Sequence, residues 1–309
     1  MMEIPPGNFI GERSDEERAA KREEYKRVLL AKLEYFRIEL DPDRKDQHLI
    51  VNPEVIDDLV DFAEITRDDS VLEIGSGPGN ITEKLGEVAG RVYALEIDPR
   101  FKQILEDLRS KNPNIEIIIG DYFNIELPEF NKIVANPPFS VLEPMLQKFS
   151  KEGIESVTLV IGEKYYRRAT ARIGTDNFTK TSLFTQADFE VEFMRRLGKE
   201  DFYPKSREIA VITKLVRKGR TIDVLLQQIA GAFSEDAGMS VKRLVNNICA
   251  EYSTPKGKIT PDNYDQFITV DSLNLPREIM NKRLQALSNR EISRLVACLV
   301  GVKEQGRRR

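Results

Sequence analysis

The residues of this chain best suited to chemistry stand in the tetrapeptide Asn136-Pro137-Pro138-Phe139, directly after the apolar segment 132–135. Two consecutive prolines fix the backbone and remove two N–H donors, which leaves the carbonyls of Asn136 and Pro137 to face a ligand. The Asn136 side-chain oxygen and the Pro137 carbonyl can together accept both hydrogens of an exocyclic amine. Phe139 offers a ring on which a flipped base can stack. The same residues can also form a simple proline turn after a buried strand.

A second chemical feature is the glycine-rich turn Gly75-Ser76-Gly77-Pro78-Gly79, between the apolar segment 71–74 and a predicted helix that begins near Asn80. Glycines allow backbone angles and close approaches that a side chain would block. The helix that follows directs its amide end toward whatever lies in the turn. Taken alone, the turn fits a nucleotide-like ligand or a tight connection from a strand to a helix.

Three carboxylates stand beside the ends of three successive apolar segments. Glu73 precedes Gly75 by two residues, Glu96 follows the glycines by about twenty residues, and Asp121 follows the segment 115–119. Each alone could be a solvated residue at the end of a strand. Together, and without the glycine spacing of a dinucleotide site, they predict S-adenosyl-L-methionine as the cofactor. Glu73 would meet the methionine end, Glu96 the ribose and Asp121 the adenine amine.

The elements that must position these residues alternate between strand and helix. They predict an α/β, Rossmann-like methyltransferase domain over 46–218 and a small all-helical C-terminal domain over 219–309. An N-terminal extension over 1–45 contains one helix, which begins at the capping box Ser14-Asp15-Glu16-Glu17 and ends near Arg37. We expect this helix to pack on the core through Tyr25, Val28, Leu29, Leu33 and Phe36. The predicted elements are helices at 53–63, 80–88, 99–110, 142–151, 163–172, 222–233, 240–252, 261–267 and 288–300, and strands at 71–74, 92–95, 115–119, 131–135, 156–162, 189–194 and 209–215.

Composition limits the possible functions. The chain has 309 residues, is 32% charged and carries a net charge of −4, so any role with nucleic acid must depend on local basic patches. No apolar run reaches the length of a membrane span, and we expect a cytoplasmic monomer with reduced Cys249 and Cys298. The single histidine, His48, excludes a histidine-rich metal site, and we expect no metal.

These motifs, with Gln47-His48-Leu49-Ile50-Val51 and Phe202-Tyr203-Pro204, resemble those of the ribosomal RNA adenine N6-dimethyltransferases of the KsgA type. The resemblance extends from about residue 47 to residue 300. It implies that S-adenosyl-L-methionine is the cofactor and that RNA, as ribosomal RNA or a ribosomal subunit precursor, is the partner. The segment that begins at Gln47 corresponds to a cofactor motif of the family, with His48 where asparagine is usual. Phe202 corresponds to a second wall of the adenine pocket.

The site residues predicted on this basis fall into three groups. The cofactor-binding residues are Gln47, His48, Leu49, Glu73, Gly75, Gly77, Glu96, Asp121 and Asn136. The catalytic residues are Asn136, Pro137 and Phe139. The substrate-binding residues are Phe139, Phe202, Arg167 and Arg168, the two arginines belonging to a basic rim that also includes Arg172, Lys180, Arg195, Arg196, Lys205 and Arg207.

Several positions depart from the pattern of that family and leave alternatives open. The family usually has Asn-Leu-Pro-Tyr or Asn-Ile-Pro-Tyr, whereas Asn-Pro-Pro-Phe is closer to DNA adenine methylases and to protein-glutamine methyltransferases. A loop that is typically basic is acidic here, at 234–239. One alternative is therefore a ribosome-assembly or RNA-binding factor with little catalysis, and another is a protein-amide methyltransferase. Intact Asn136 and Asp121 argue against the first, and the C-terminal helical domain argues against the second.

Overall fold

The computed structural model describes residues 14–218, 224–236, 238–252 and 275–307. The chain forms two compact units. The first comprises the residues up to Tyr166 together with 191–217, and the second comprises 167–190 together with the residues from Lys218 onward. The domain boundary predicted after residue 218 lies one residue from the point where the chain passes from the first unit into the second. Residues 167–190, which we expected in the methyltransferase domain, belong to the second unit, because Phe178, Leu183 and Phe184 are buried in its apolar core.

The strands of the described residues are β1 (Leu49–Ile50), β2 (Ser70–Ile74), β3 (Arg91–Glu96), β4 (Ile115–Ile119), β5 (Lys132–Ala135), β6 (Ser156–Gly162), β7 (Phe189–Leu197), β8 (Phe202–Tyr203) and β9 (Ala210–Arg217). Strands β2 to β7 and β9 lie close to their predicted positions, whereas β1 and β8 were not predicted. Seven of them form one sheet in the order β4-β3-β2-β5-β6-β9-β7, and β1 pairs with β8 in a separate two-stranded sheet. Strands β2 to β6 are parallel, and β9 runs antiparallel to β6. The predicted α/β, Rossmann-like architecture is confirmed.

The order of the strands reverses beside β2. Strands β3 and β4 lie on one side of β2, and β5 and β6 lie on the other. In an open parallel sheet, such a reversal leaves a crevice at the carboxyl ends of the two adjacent central strands. The glycine turn after β2 and Asn136 after β5 therefore stand next to each other, although they are far apart in the sequence.

Helices cover the sheet and build the second unit. They are α1 (Asp15–Tyr35), α2 (Pro42–Lys45), α3 (Pro53–Phe62), α4 (Asn80–Val88), α5 (Lys102–Lys111), α6 (Leu142–Lys151), α7 (Glu163–Ala169), α8 (Lys180–Asp188), α9 (Val224–Glu235), α10 (Val241–Tyr252), α11 (Arg277–Met280) and α12 (Asn289–Arg307). Helix α8 was missed from the sequence, and the helix predicted at 261–267 lies outside the described residues. None of the helices in the described ranges is long and apolar enough to cross a bilayer.

Helix α1 confirms the expectation that the N-terminal helix packs on the core. Ser14 and Glu17 form the predicted capping box. Leu29 and Leu33, four residues apart and so on one face, are buried against Phe101 and Leu105. The predicted face was too wide, because Val28 is 57% exposed.

This packing predicts unequal effects of two substitutions in the same helix. Leu33→Ala should lower the free energy of unfolding by about 2–4 kcal/mol, because it removes buried methyl groups and leaves a cavity. Val28→Ala, at an exposed position, should change it by no more than about 0.5 kcal/mol. Urea unfolding followed by circular dichroism measures both. Equal effects of the two substitutions would show that α1 does not depend on this apolar contact.

Candidate active site

A cavity of about 420 Å³ opens where β2, β3, β4 and β5 end. Every residue predicted to hold the cofactor lines it, with the exception of Glu73. The predicted residues in its lining are Gln47, His48, Leu49, Gly75, Gly77, Glu96, Asp121 and Asn136. Four strand-end segments and the loop before β1 thus meet at one site, as the parallel sheet requires.

The glycine turn keeps the floor of the cavity free of side chains. Gly75, Gly77 and Gly79 have φ angles of +79°, +51° and +85°, a region that other residues rarely adopt. A Cβ atom at Gly75 would meet no atom within 4 Å, so the space over the turn is open. At Gly79 a Cβ atom would lie 2.8 Å from a methyl group of Leu108, so a side chain there would displace this leucine. A ligand can therefore approach the backbone of the turn closely.

Glu96 closes the turn and faces the cavity. One of its carboxylate oxygens accepts a hydrogen bond from the Gly77 N–H at 2.7 Å, and the other accepts from the Asp98 N–H at 2.8 Å. Burial raises the pKa of Glu96 above its usual value, although these two backbone bonds oppose the increase. Each oxygen can still accept a further hydrogen bond. The carboxylate is therefore fixed in place with acceptor capacity for a pair of hydroxyl groups.

Gln47 lines the cavity and is hydrogen-bonded to the chain segment that precedes it in the sequence. Its side-chain oxygen accepts from the Asp41 N–H at 2.8 Å, and its amide nitrogen donates to Asp98 at 3.2 Å. Asp98 is 3% exposed and is also held by Arg100, with 2.6 Å between Nη2 and Oδ2. Gln47 thus uses its amide to position the cavity wall. Asp98 lines the cavity and was missed as a site residue, although its place two residues after Glu96 was a usable signal.

Asp121 lines the cavity together with two exposed apolar side chains. Its carboxylate accepts from the Phe123 N–H at 3.0 Å and from the Asn124 amide at 2.6 Å. Ile97 and Phe123 line the same cavity and are 65% and 40% exposed. Exposed apolar side chains beside a pocket suit the face of a flat ring. Both were missed from the sequence, where each looks like an ordinary residue of a loop.

Glu73 does not lie where the sequence suggested. Its side chain is 1% exposed and is absent from the cavity lining. One carboxylate oxygen accepts a hydrogen bond from the Thr82 hydroxyl, and the other has no hydrogen-bond partner among the residues that the structure describes. Burial, with the nearby charge of Glu96, raises the pKa of Glu73 to about 8. Glu73 is therefore a mostly protonated group at neutral pH, and the predicted contact with the methionine end does not follow from the geometry.

A second, smaller cavity of about 140 Å³ is lined by the residues predicted to bind the target nucleobase. Asn136, Pro137, Phe139 and Phe202 line it. Its other lining residues are Asp46, His48, Ser206, Arg207 and Glu208. Three residues, Asn136, His48 and Asp46, line both cavities. The two cavities therefore meet at Asn136.

The side chain of Asn136 is held in one orientation. Its Nδ2 atom donates to the carbonyl of His48 at 2.8 Å, which leaves Oδ1 as the free acceptor. The Phe139 N–H donates to Asp46 at 2.9 Å. Phe202, which is 3% exposed, reaches the cavity because β8 pairs with β1 in the register Ile50↔Phe202. The pairing of these two short strands was not predicted.

The predicted basic rim lies only partly at the two cavities. Arg167 and Arg168 are exposed on α7, belong to the second unit and line neither cavity. Arg195 and Arg196 form ion pairs with Asp58 and Glu163. Arg207 lines the second cavity and pairs with Asp43. In the described ranges, acidic and cysteine side chains and the histidine form no group of three that could hold a metal ion.

Comparison with known proteins gives consistent results. A family model described as ribosomal RNA adenine dimethylase matches residues 43–228. The chain is 31% identical to the probable ribosomal RNA small subunit methyltransferase A of Methanococcoides burtonii, over 81% of this chain and 90% of that protein. It is 36% identical to the protein of that name from Pyrococcus abyssi, over 59% of this chain and 67% of that one.

Two solved structures share the fold. A dimethyladenosine transferase from Plasmodium falciparum aligns with a TM-score of 0.55 at 20% identity, over 82% of this chain and 97% of that one. The 23S rRNA methyltransferase ErmE aligns with a TM-score of 0.51 at 21% identity, over 80% of this chain and 97% of that one. At these identities, the similarity supports the architecture.

The environment of Glu73 predicts a pH-dependent stability. Because its folded pKa of about 8 exceeds the unfolded value, the folded state holds an extra proton between these two pH values. Stability from this group is therefore complete below about pH 4.5 and is lost as the pH rises to about 8. Glu73→Gln, measured without ligand, should become more stable than the parent over this window. The difference should reach on the order of 3–6 kcal/mol and stay constant above it.

Urea unfolding at a series of pH values measures this difference. Glu83→Gln, an exposed glutamate of α4, is the matched control and should follow the parent at every pH. A constant difference between Glu73→Gln and the parent from pH 4.5 to 8 would contradict the assignment.

Proposed function

Because the chain belongs to the ribosomal RNA adenine dimethylase family, we propose that it transfers methyl groups from S-adenosylmethionine to the N6 amine of adenine in ribosomal RNA. The observation that carries this proposal is the meeting of the two cavities at Asn136. A cofactor in the larger cavity and a base in the smaller one would bring their reacting atoms together at that residue.

The residues of the larger cavity fit the cofactor. Glu96 would accept from the ribose hydroxyls, and Asp121 with Ile97 and Phe123 would hold the adenine ring. The open glycine turn would take the methionine end, where no side chain competes for space. When bound, S-adenosylmethionine supplies a methyl group on a positively charged sulfur. The protein has then to place an amine in line with that methyl group and to keep water out.

Asn136 and Pro137 would perform the positioning. The free Oδ1 atom of Asn136 and the Pro137 carbonyl would accept the two N6 hydrogens, which draws the nitrogen lone pair out of conjugation with the ring. Phe139 and Phe202 would form the aromatic walls for the extruded base. Since the Asn136 amide is already held by the His48 carbonyl, it needs no reorganisation when the base enters. Such fixed geometry provides rate by orientation.

The name of the Methanococcoides relative directs the proposal toward RNA of the small ribosomal subunit, either free or in a precursor particle. Arg207, at the mouth of the second cavity, would exchange its partner Asp43 for a phosphate of the RNA backbone. Arg167 and Arg168 remain proposed backbone contacts because they are exposed cations. We further propose that the protein works as a monomer in the cytoplasm and adds two methyl groups.

Loss of the Glu96 carboxylate should weaken cofactor binding. Glu96→Ala removes an acceptor for two hydroxyl groups and should reduce the affinity for S-adenosylmethionine by about 1–3 kcal/mol, measured by calorimetry. Glu116→Ala, an exposed glutamate on the neighbouring strand β4, is the control and should bind as the parent does. Unchanged affinity of Glu96→Ala would remove Glu96 from the cofactor site.

Loss of the Asn136 side chain should strongly reduce the rate of methyl transfer and change the affinity for the cofactor little. Asn136→Ala should lower the rate of methyl transfer to small-subunit ribosomal RNA on the order of a hundredfold or more, because it removes a fixed acceptor for the amine. The affinity for S-adenosylmethionine should stay within about threefold of the parent, since an interaction made mainly in the transition state does little for ground-state binding.

Mass spectrometry of digested RNA after reaction measures the methylated adenine. Gln103→Ala, an exposed amide residue on α5, is the control and should retain full activity. Equal turnover by Asn136→Ala and the parent would refute the role of Asn136. A parent that methylates no adenine but modifies a glutamine amide of a protein would favour the protein-amide alternative.

A further inference from the structure

The segment 136–139, which lines the base cavity, has few backbone donors with which to hold its own shape. Pro137 and Pro138 carry no N–H, so the N–H of Phe139 is the first backbone donor after them. Phe139 also begins a short 3-10 helix, Phe139–Val141, whose first N–H groups have no partner within the helix. Pro138 stands at the N-cap position and has no side-chain acceptor for them. The acceptor has to come from elsewhere in the chain.

Asp46 supplies that acceptor from 93 residues away. Its Oδ2 atom accepts from the Phe139 N–H at 2.9 Å. Its Oδ1 atom lies 3.7 Å from Nε2 of His48, beyond the distance of a hydrogen bond. The ring of His48 is itself held by the Pro204 carbonyl, 2.8 Å from Nδ1. Since a carboxylate is also the group that a helix N-terminus favours, Asp46 acts as the N-cap of the turn that begins at Phe139.

The backbone of Asp46 adopts a conformation that has a cost. Its φ angle is +52°, which is uncommon for a residue other than glycine, and glycine would adopt it freely. Two residues later, the His48 carbonyl accepts from the Asn136 amide at 2.8 Å. The loop 46–48 therefore holds the segment 136–139 at both of its ends. A strained residue beside a site indicates that its side chain has a function there.

We propose that Asp46 is a positioning residue for methyl transfer, because its cap on Phe139 sets where the aromatic wall of the base site stands relative to Asn136. This inference rests on the proposed function. The ring of Phe139 lies against the end of β6, where a Cβ atom at Gly162 would be 3.3 Å from a ring carbon. Release of the Phe139 N–H would free the backbone that carries this ring. The base would then lose its alignment with the methyl group, which lowers the rate of transfer without a loss of cofactor affinity.

The first test compares two substitutions of Asp46 by single-turnover methyl transfer to adenine of small-subunit ribosomal RNA, at saturating RNA. Asp46→Gly removes the acceptor and relieves the backbone, so the rate should fall on the order of tenfold while the affinity for S-adenosylmethionine stays within about twofold. Asp46→Asn keeps an acceptor oxygen and tolerates a positive φ angle, so its rate should return to within about threefold of the parent.

Arg37→Gly is the matched control for the glycine substitution. Arg37 is exposed, has a φ angle of +55° and lines neither cavity, so the same change of backbone freedom should leave the rate as in the parent. Urea unfolding measures the stability of each variant. Asp46→Gly should unfold close to the parent, because the relief of strain offsets the lost hydrogen bond. A fall in rate without a fall in stability is what a purely structural role would not produce.

The second test does not depend on activity. Hydrogen exchange is followed on protein labelled with nitrogen-15 in phenylalanine, and the Phe139 amide is identified by the signal that Phe139→Tyr lacks. This amide should exchange slowly in the parent and in Asp46→Asn. In Asp46→Gly it should exchange faster on the order of tenfold or more, because the hydrogen bond that protects it is lost.

The outcomes separate this inference from the proposed function. A parent that transfers no methyl group to adenine overturns both. An active parent with Asp46→Gly at the parent rate overturns the positioning role alone. So does an Asp46→Asn variant as slow as Asp46→Gly, because the negative charge would then matter and the hydrogen bond would not. If Asp46→Gly does not fold, the parent and Asp46→Asn still decide, since a Phe139 amide that exchanges in the parent as fast as an exposed amide contradicts the cap.

Discussion

The two-residue pairing between β1 and β8 is the constraint on which the site depends. Leu49 pairs with Tyr203 and Ile50 with Phe202, and the Val51 N–H continues the contact by donating to Asp201 at 2.8 Å. Without this pairing, the loop that carries Gln47 and His48 would lose its backbone contact with the segment 201–203. The second cavity would lose Phe202 as a wall, and His48 would lose its Pro204 partner. A few backbone hydrogen bonds between distant segments thus hold the walls of two adjoining cavities in place.

Two buried carboxylates at neighbouring strand ends illustrate how local partners decide their roles. Glu96 accepts two backbone N–H groups and faces the cavity, so its charged form is partly compensated. One oxygen of Glu73 accepts from the Thr82 hydroxyl, and the other has no partner in the described part of the chain. Burial therefore dominates, and the pKa of Glu73 rises to about 8. Glu96 therefore lines the larger cavity, whereas the buried Glu73 carboxyl does not.

The N-terminal extension helps to form the larger cavity. The Lys32 ammonium donates to the Pro78 carbonyl in the glycine turn at 3.3 Å, and burial lowers the pKa of this lysine. Arg100 donates to the Glu39 carbonyl at 2.9 Å while it holds Asp98. The Asp41 N–H donates to Gln47. Residues that precede the matched family region, which begins at residue 43, therefore brace the turn and one wall of the cavity.

The sequence by itself determined the alternation of strands and helices, the glycine turn and the acidic and amide residues at the strand ends. These follow from local rules, because the carboxyl ends of parallel strands meet at one edge whatever the rest of the chain does. It also determined the capping box of α1, which is a local contact between two residues three positions apart. Only the tertiary structure decided that Glu73 is buried outside the cavity, that Asp46 and His48 join Asn136 between two cavities, and that residues 167–190 belong to the second unit. Each of these depends on contacts between segments distant in the sequence, and neither residue type nor spacing carries information about which distant segment covers a given side chain.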